Sequence, residues 1–124
     1  MGTKNGMHND NPLKSKSYNF ALKIVLLYKK LTNESKEYVL SKQLLRSETS
    51  IGANIAEANG AISTADFSAK ISISYKESLE TKYWLSLLKD ASFITIETYE
   101  ALYKDVDELS KILFSILKST RLKK

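Results

Sequence analysis

The chain is predicted to be all-α, an antiparallel up-down four-helix bundle. One proline, Pro12, and four glycines punctuate 124 residues, with three of the glycines outside any helix interior. Apolar residues recur at three- and four-residue spacing through four long segments, and short polar connections separate those segments, which makes sequential helices antiparallel neighbours.

The first helix is expected from about Ser17 to Leu31, with Tyr18, Leu22 and Val25 on one line and Phe20, Ile24, Leu27 and Leu31 on another. Two apolar lines require two packing partners. Thr32, Asn33 and Ser35 supply turn chemistry to the first connection. The second helix follows over about Lys36 to Asn59, with Leu40, Leu44, Ile51, Ile55 and Ala58 as its core line. Gly60 is expected to end it in the left-handed conformation. Ser63 and Asp66 form a capping-box pattern for the third helix, about Thr64 to Ala91. Thr95 caps the fourth, whose stripe of Tyr99, Leu102, Tyr103, Val106, Leu109, Leu113, Ile116 and Leu117 is one-sided. The domain reading is therefore a flexible polar tail over 1–16, a bundle over 17–117 and a basic tail over 118–124. Met7 offers a second start codon.

Bulk composition narrows the function classes. A single small core gains from extra burial between subunits, so self-association is a natural expectation. There is no cysteine, hence no disulfide or thiolate metal site, which suits a reducing cytoplasm. The longest purely apolar run, Ile24 to Leu27, is far short of a membrane span, and the N-terminus has no apolar stretch resembling a signal peptide. Of the net charge of +5, residues 1–16 contribute +2, residues 118–124 contribute +4 and the body −1. Basic character sits at the ends, where Lys118, Arg121, Lys123 and Lys124 are candidate nucleic-acid contacts.

Catalytic and cofactor patterns are missing from the sequence. His8, the one histidine, precedes the bundle, so no Ser-His pair can form within it. Glu77 and Glu80 offer Glu-x-x-Glu where a di-metal bundle uses Glu-x-x-His, and "GANIAEANG" lacks the lysine of a phosphate-binding loop. The expectation is no enzyme, no cofactor and no metal.

Two features stand out against this background. At 100° per residue, Arg46, Ser50, Ala53 and Glu57 share a face of the second helix opposite its core line, with Gly52 and Ala56 beside it. Exposed helix positions usually carry Lys, Glu or Gln, and an interior glycine costs about 1 kcal/mol relative to alanine. A face of small residues therefore suggests close contact with another backbone, against the alternative of an indifferent solvated face. On the third helix, Ala69, Ile73, Glu80, Trp84, Leu87 and Ala91 share a side, which places Glu80 in an apolar stripe. Either Arg46 pairs with it, or it extends past Trp84 to water.

"QLLRSETSIGANIAEA" followed by "KESLETKYWLSLL" resembles the bacterial 23S ribosomal RNA intervening-sequence protein family over about residues 18–117. The shared pattern R-S-x-x-S-I-x-x-N-I-A-E is met by Arg46, Ser47, Ser50, Ile51, Asn54, Ile55, Ala56 and Glu57, supported by Glu80 and Tyr83-Trp84-Leu85. The resemblance implies a homo-oligomeric bundle, typically a barrel-like pentamer. It also relates the chain to the accessory proteins of diversity-generating retroelements, whose positively charged pentamers engage nucleic acid and a reverse transcriptase. Here the body is not basic, so this chain departs from that branch.

The leading expectation is a non-enzymatic homo-oligomer acting as an assembly or scaffold, with Arg46, Ser50, Gly52, Ala53, Asn54, Ala56, Glu57, Glu80 and Trp84 at its interface. RNA or DNA binding through basic ends multiplied by the subunit number is the alternative. Tyr38, Tyr75, Tyr83 and Tyr99 could stack on bases, but tyrosine at helical spacing is more often core. A protein partner is equally compatible with a scaffold.

Overall fold

The computed structural model describes residues 12–122, with side chains through Thr120. Four helices follow in order: α1 (Pro12–Asn33), α2 (Val39–Asn59), α3 (Thr64–Asp90) and α4 (Ile96–Leu122). Each packs on its neighbour in sequence, most extensively α2 on α3, and α1 closes the bundle against α4. The four-helix bundle is as predicted. Its core gathers Phe20, Ile24 and Leu31 of α1, Leu44, Ile51 and Ile55 of α2, Ile71, Leu85 and Leu88 of α3, and Val106, Leu109 and Leu113 of α4.

Both ends of the bundle run further than the tail boundaries allowed. Helix α1 begins at Pro12, five positions before the predicted Ser17, because proline pre-sets the backbone angle of a first helical residue and needs no N–H partner there. Leu13, two turns before Phe20, is then buried at the core's edge. Helix α4 continues through Leu122, past the predicted end at Leu117, with Thr120 buried and its hydroxyl donating to the Ile116 carbonyl at 2.8 Å. Residues 118–122 are therefore helix, not tail. Lys118 is exposed on it; the Arg121 side chain, Lys123 and Lys124, like residues 1–11 with His8, lie outside what is described.

The connections also differ in detail. Helix α2 starts three residues later than Lys36, which takes a left-handed φ of 54° in the turn. The Glu37 carboxylate then accepts from the backbone N–H groups of Val39, Leu40 and Ser41 at 3.1, 2.9 and 2.7 Å, satisfying donors that helix starts leave open. Gly60 does end α2, but at φ −106° rather than in the left-handed region, since the chain leaves through tight bonds from Gly60 and Ala61 to Glu57 and Ala58. It is Ser92, at φ 67°, that adopts the left-handed position after α3. Bonds from Ser92 N–H to Lys89 and from Phe93 N–H to Leu88 complete a Schellman closure there. Ser63 Oγ accepts from Asp66 N–H and Thr95 Oγ1 from Thr98 N–H, each at 3.0 Å, as read, but the Asp66 carboxylate reaches back to the Ile62 N–H at 3.3 Å, one residue before the Ser63 N–H of a capping box.

Helix α3 presents a core side that apolar counting overlooks. Alongside Ile71, Leu85 and Leu88, its buried line contains Ser74, Ser78 and Thr81. All three hydroxyls have partners across helix boundaries. Ser74 donates to the Ile51 carbonyl at 3.0 Å, Ser78 shares a bond with Ser110 at 2.7 Å, and Thr81 shares one with Ser47 at 2.9 Å. Satisfied buried hydroxyls cost little and fix the register of α3 between α2 and α4. At the surface, Lys82 and then Lys111 hold the Asp107 carboxyl below its usual range, and Lys16–Glu108 and Lys23–Asp105 pairs tie α1 to α4.

Candidate functional site

The residues singled out on α2 form an outward surface flanked by α1 and α3. On the α3 flank, the Arg46 guanidinium donates through one terminal nitrogen to Glu80 Oε2, and its other terminal nitrogen lies 3.5 Å from Glu77 Oε1. Its Nε donates to Gln43 at 3.0 Å, and the indole Nε1 of Trp84 donates to the same Glu80 oxygen at 2.9 Å. Arg46 is thus the partner of Glu80. Glu80 is not, however, a buried core carboxylate: the Ala69–Ile73–Glu80–Trp84 side of α3 faces outward, because the serine-rich side occupies the core. Further along α2, Glu57 pairs with Lys70 at 3.4 Å, and Asn54 Nδ2 donates back to the Ser50 carbonyl at 2.8 Å.

On the α1 flank lies a groove of about 500 Å³, lined by Gly52, Ala53 and Ala56 from α2 and by Ser17, Tyr18 and Ala21 from α1. Beyond its chain neighbours and the adjoining backbone of α2 itself, no atom among the described residues comes within 4 Å of a Cβ built on Gly52. The close backbone approach expected at Gly52 is therefore not made inside one chain; the space beside it is the groove. Tyr18 is 66% exposed, and Leu22, Val25 and Leu26 continue an exposed apolar line along α1. Among the described residues, nothing covers this second line of α1. Exposed apolar side chains on α3 include Ile73, Leu79 and Tyr83.

The groove's floor contains a residue that sequence reading missed. Glu48 is fully buried, both carboxylate oxygens lack a hydrogen-bond partner among the described residues, and burial pushes its carboxyl up to about 7. The signal was available: Leu44, Glu48, Ile51 and Ile55 are spaced by four, three and four, so Glu48 falls on the core line of α2. Among the described residues no three His, Cys, Asp or Glu side chains come together as a metal site, and no helix is long and apolar enough to cross a membrane.

The sequence profile of the 23S rRNA-intervening sequence proteins matches residues 9–115. The chain belongs to that family. A crystal structure of an S23 ribosomal protein family member from Bacteroides thetaiotaomicron, itself of unknown function, is 56% identical to this intervening-sequence family chain. It superposes with a TM-score of 0.86 over 88% of this chain and 97% of its own. No curated protein matches the chain. Arg46 and Glu80 meet on the α2–α3 flank, while Gly52, Ala53 and Ala56 face the α1–α2 groove, so the residues singled out on α2 fall on two different seams of the bundle.

Proposed function

We propose that this intervening-sequence family protein is a non-enzymatic assembly unit of the cytoplasm, whose copies associate through the small-residue face of α2 and the exposed apolar line of α1. The observation that carries this reading is the groove over Gly52, Ala53 and Ala56 beside Tyr18, Leu22 and Val25. Small residues admit a neighbouring helix closely, and an apolar line of this length without a partner is a common mark of an interface. Five subunits is the number that the family resemblance implies.

Sedimentation equilibrium of the wild-type chain tests the reading directly. A mass that is a multiple of 14.0 kDa supports it, and a single-chain mass at every concentration overturns it.

A second reading, nucleic-acid binding by the assembly, draws on Lys118, which is exposed on α4 and makes no ion pair among the described residues. Because α4 continues to Leu122, neutralising Lys118, Arg121, Lys123 and Lys124 to Gln is a cleaner test than truncation after Leu117. RNA and duplex DNA binding that falls steeply with salt, and is lost in the neutralised variant, supports this reading.

A further inference from the structure

The Glu48 carboxylate takes part in no hydrogen bond or ion pair among the described residues. Its two oxygens are buried without a donor among the described residues, beneath a groove whose lining, apart from Lys14, is small, apolar or hydroxylic. A carboxylate in such a position is unfavourable unless a charged, multiply donating group reaches it. Lys14 and Tyr18 of α1 are the titratable side chains among the described residues that line the groove with it, yet Lys14 makes no ion pair among them. On the other flank of α2, Glu77 and Glu80 are engaged by Arg46, and Glu57 by Lys70.

The protein meanwhile carries exposed lysines with nothing to neutralise them. Lys29, Lys30, Lys42, Lys76 and Lys104 are exposed and make no ion pair among the described residues. A lysine brings an aliphatic stem suited to the apolar walls formed by Ala21, Ala53 and Ala56, and a head with three donors suited to two vacant oxygens.

We propose that the α1–α2 groove receives a lysine side chain of a second copy of this chain, and that Glu48 is the carboxylate that accepts it. This rests on the assembly reading and adds to it a polar lock at the floor of the seam. An apolar groove alone would tolerate many helix registers; one buried acceptor selects the register that delivers a cation. In the separate chain the carboxyl stays near 7; in the assembly the neighbouring ammonium draws it down towards the ordinary carboxylate range.

The test combines sedimentation equilibrium of wild type, Glu48→Gln and Lys14→Met with carboxyl-carbon NMR titration of Glu48 in dilute and assembled wild-type protein. The expected result is at least tenfold weaker self-association for Glu48→Gln, unchanged association for Lys14→Met, and a Glu48 midpoint that falls on assembly. Removing an unpaired buried carboxyl would leave association unchanged or strengthen it, so that outcome, or a midpoint that does not move, overturns the lock while the assembly reading stands. If Lys14→Met reproduces Glu48→Gln, the donor is the chain's own lysine and the proposal is also overturned. A wild-type protein that stays a single chain throughout removes both readings together. The NMR titration needs no variant, so a misfolded Glu48→Gln leaves the question decidable.

Discussion

Glu80 on α3 is held from two directions, by the Arg46 guanidinium of α2 and by the Trp84 indole one turn along its own helix, both on the same carboxylate oxygen. The pair is about half exposed on the arginine side, so solvent screens much of its Coulomb energy. A double-mutant cycle of Arg46→Met and Glu80→Gln should give a coupling of about 0.5–1 kcal/mol in urea unfolding. Trp84 fluorescence should shift in Glu80→Gln, because the indole loses a charged acceptor. Strict additivity of the two substitutions together with an unchanged emission spectrum would show the contact to be idle in solution.

Gly52 separates folding from assembly. Since a Cβ there meets nothing within 4 Å, Gly52→Ala should raise the stability of the separate chain by roughly 1 kcal/mol through helix propensity. Gly52→Leu should fold with unchanged helical circular dichroism and fail to assemble, because its side chain fills the groove. An unaltered sedimentation mass for Gly52→Leu would take the groove out of the interface.

Glu48 gives the dissociated chain a pH dependence of definite sign. Its carboxyl rises from an ordinary 4.5 to about 7 on folding, so the folded chain holds the proton more tightly than the unfolded one. The resulting stabilisation is fully present below pH 4.5 and is lost as pH rises through 7, by about 3 kcal/mol in all. Urea unfolding at low protein concentration between pH 4.5 and 8 should show that decline, and Glu48→Gln should abolish it. A flat profile for the wild-type chain would mean that the carboxyl reaches water.

The Ser78–Ser110 bond tests the polar register of the core. Each hydroxyl is buried and they lie 2.7 Å apart. Ser110→Ala alone should cost about 1 kcal/mol, since it strips Ser78 of its cross-helix partner, and the double alanine variant should cost less than the sum of the singles. Additive losses in chemical unfolding would rule out a direct contribution from the bond.

The existence and order of the four helices were legible from the sequence because each segment repeats apolar residues at helical spacing and is bounded by residues with cap chemistry, Ser63 and Thr95 among them. The partner of Glu80 was legible for a similar reason: a carboxylate in an apolar stripe calls for a guanidinium, and Arg46 stands on the adjacent helix. The core side of α3 was not. Its serines and threonine look solvent-facing until the bundle supplies Ser110, Ser47 and the Ile51 carbonyl as partners.

By itself, then, the sequence determined the secondary structure, the bundle class and the family, all of which depend on local spacing and motif. Only the tertiary structure decided which stripe of α3 is inside, that Gly52 faces open space, and that Glu48 is a buried acid without a partner among the described residues. Those facts depend on what stands across a helix interface. Hydrogen-bond satisfaction and burial are properties of pairs of elements, and residue spacing along one helix does not contain them.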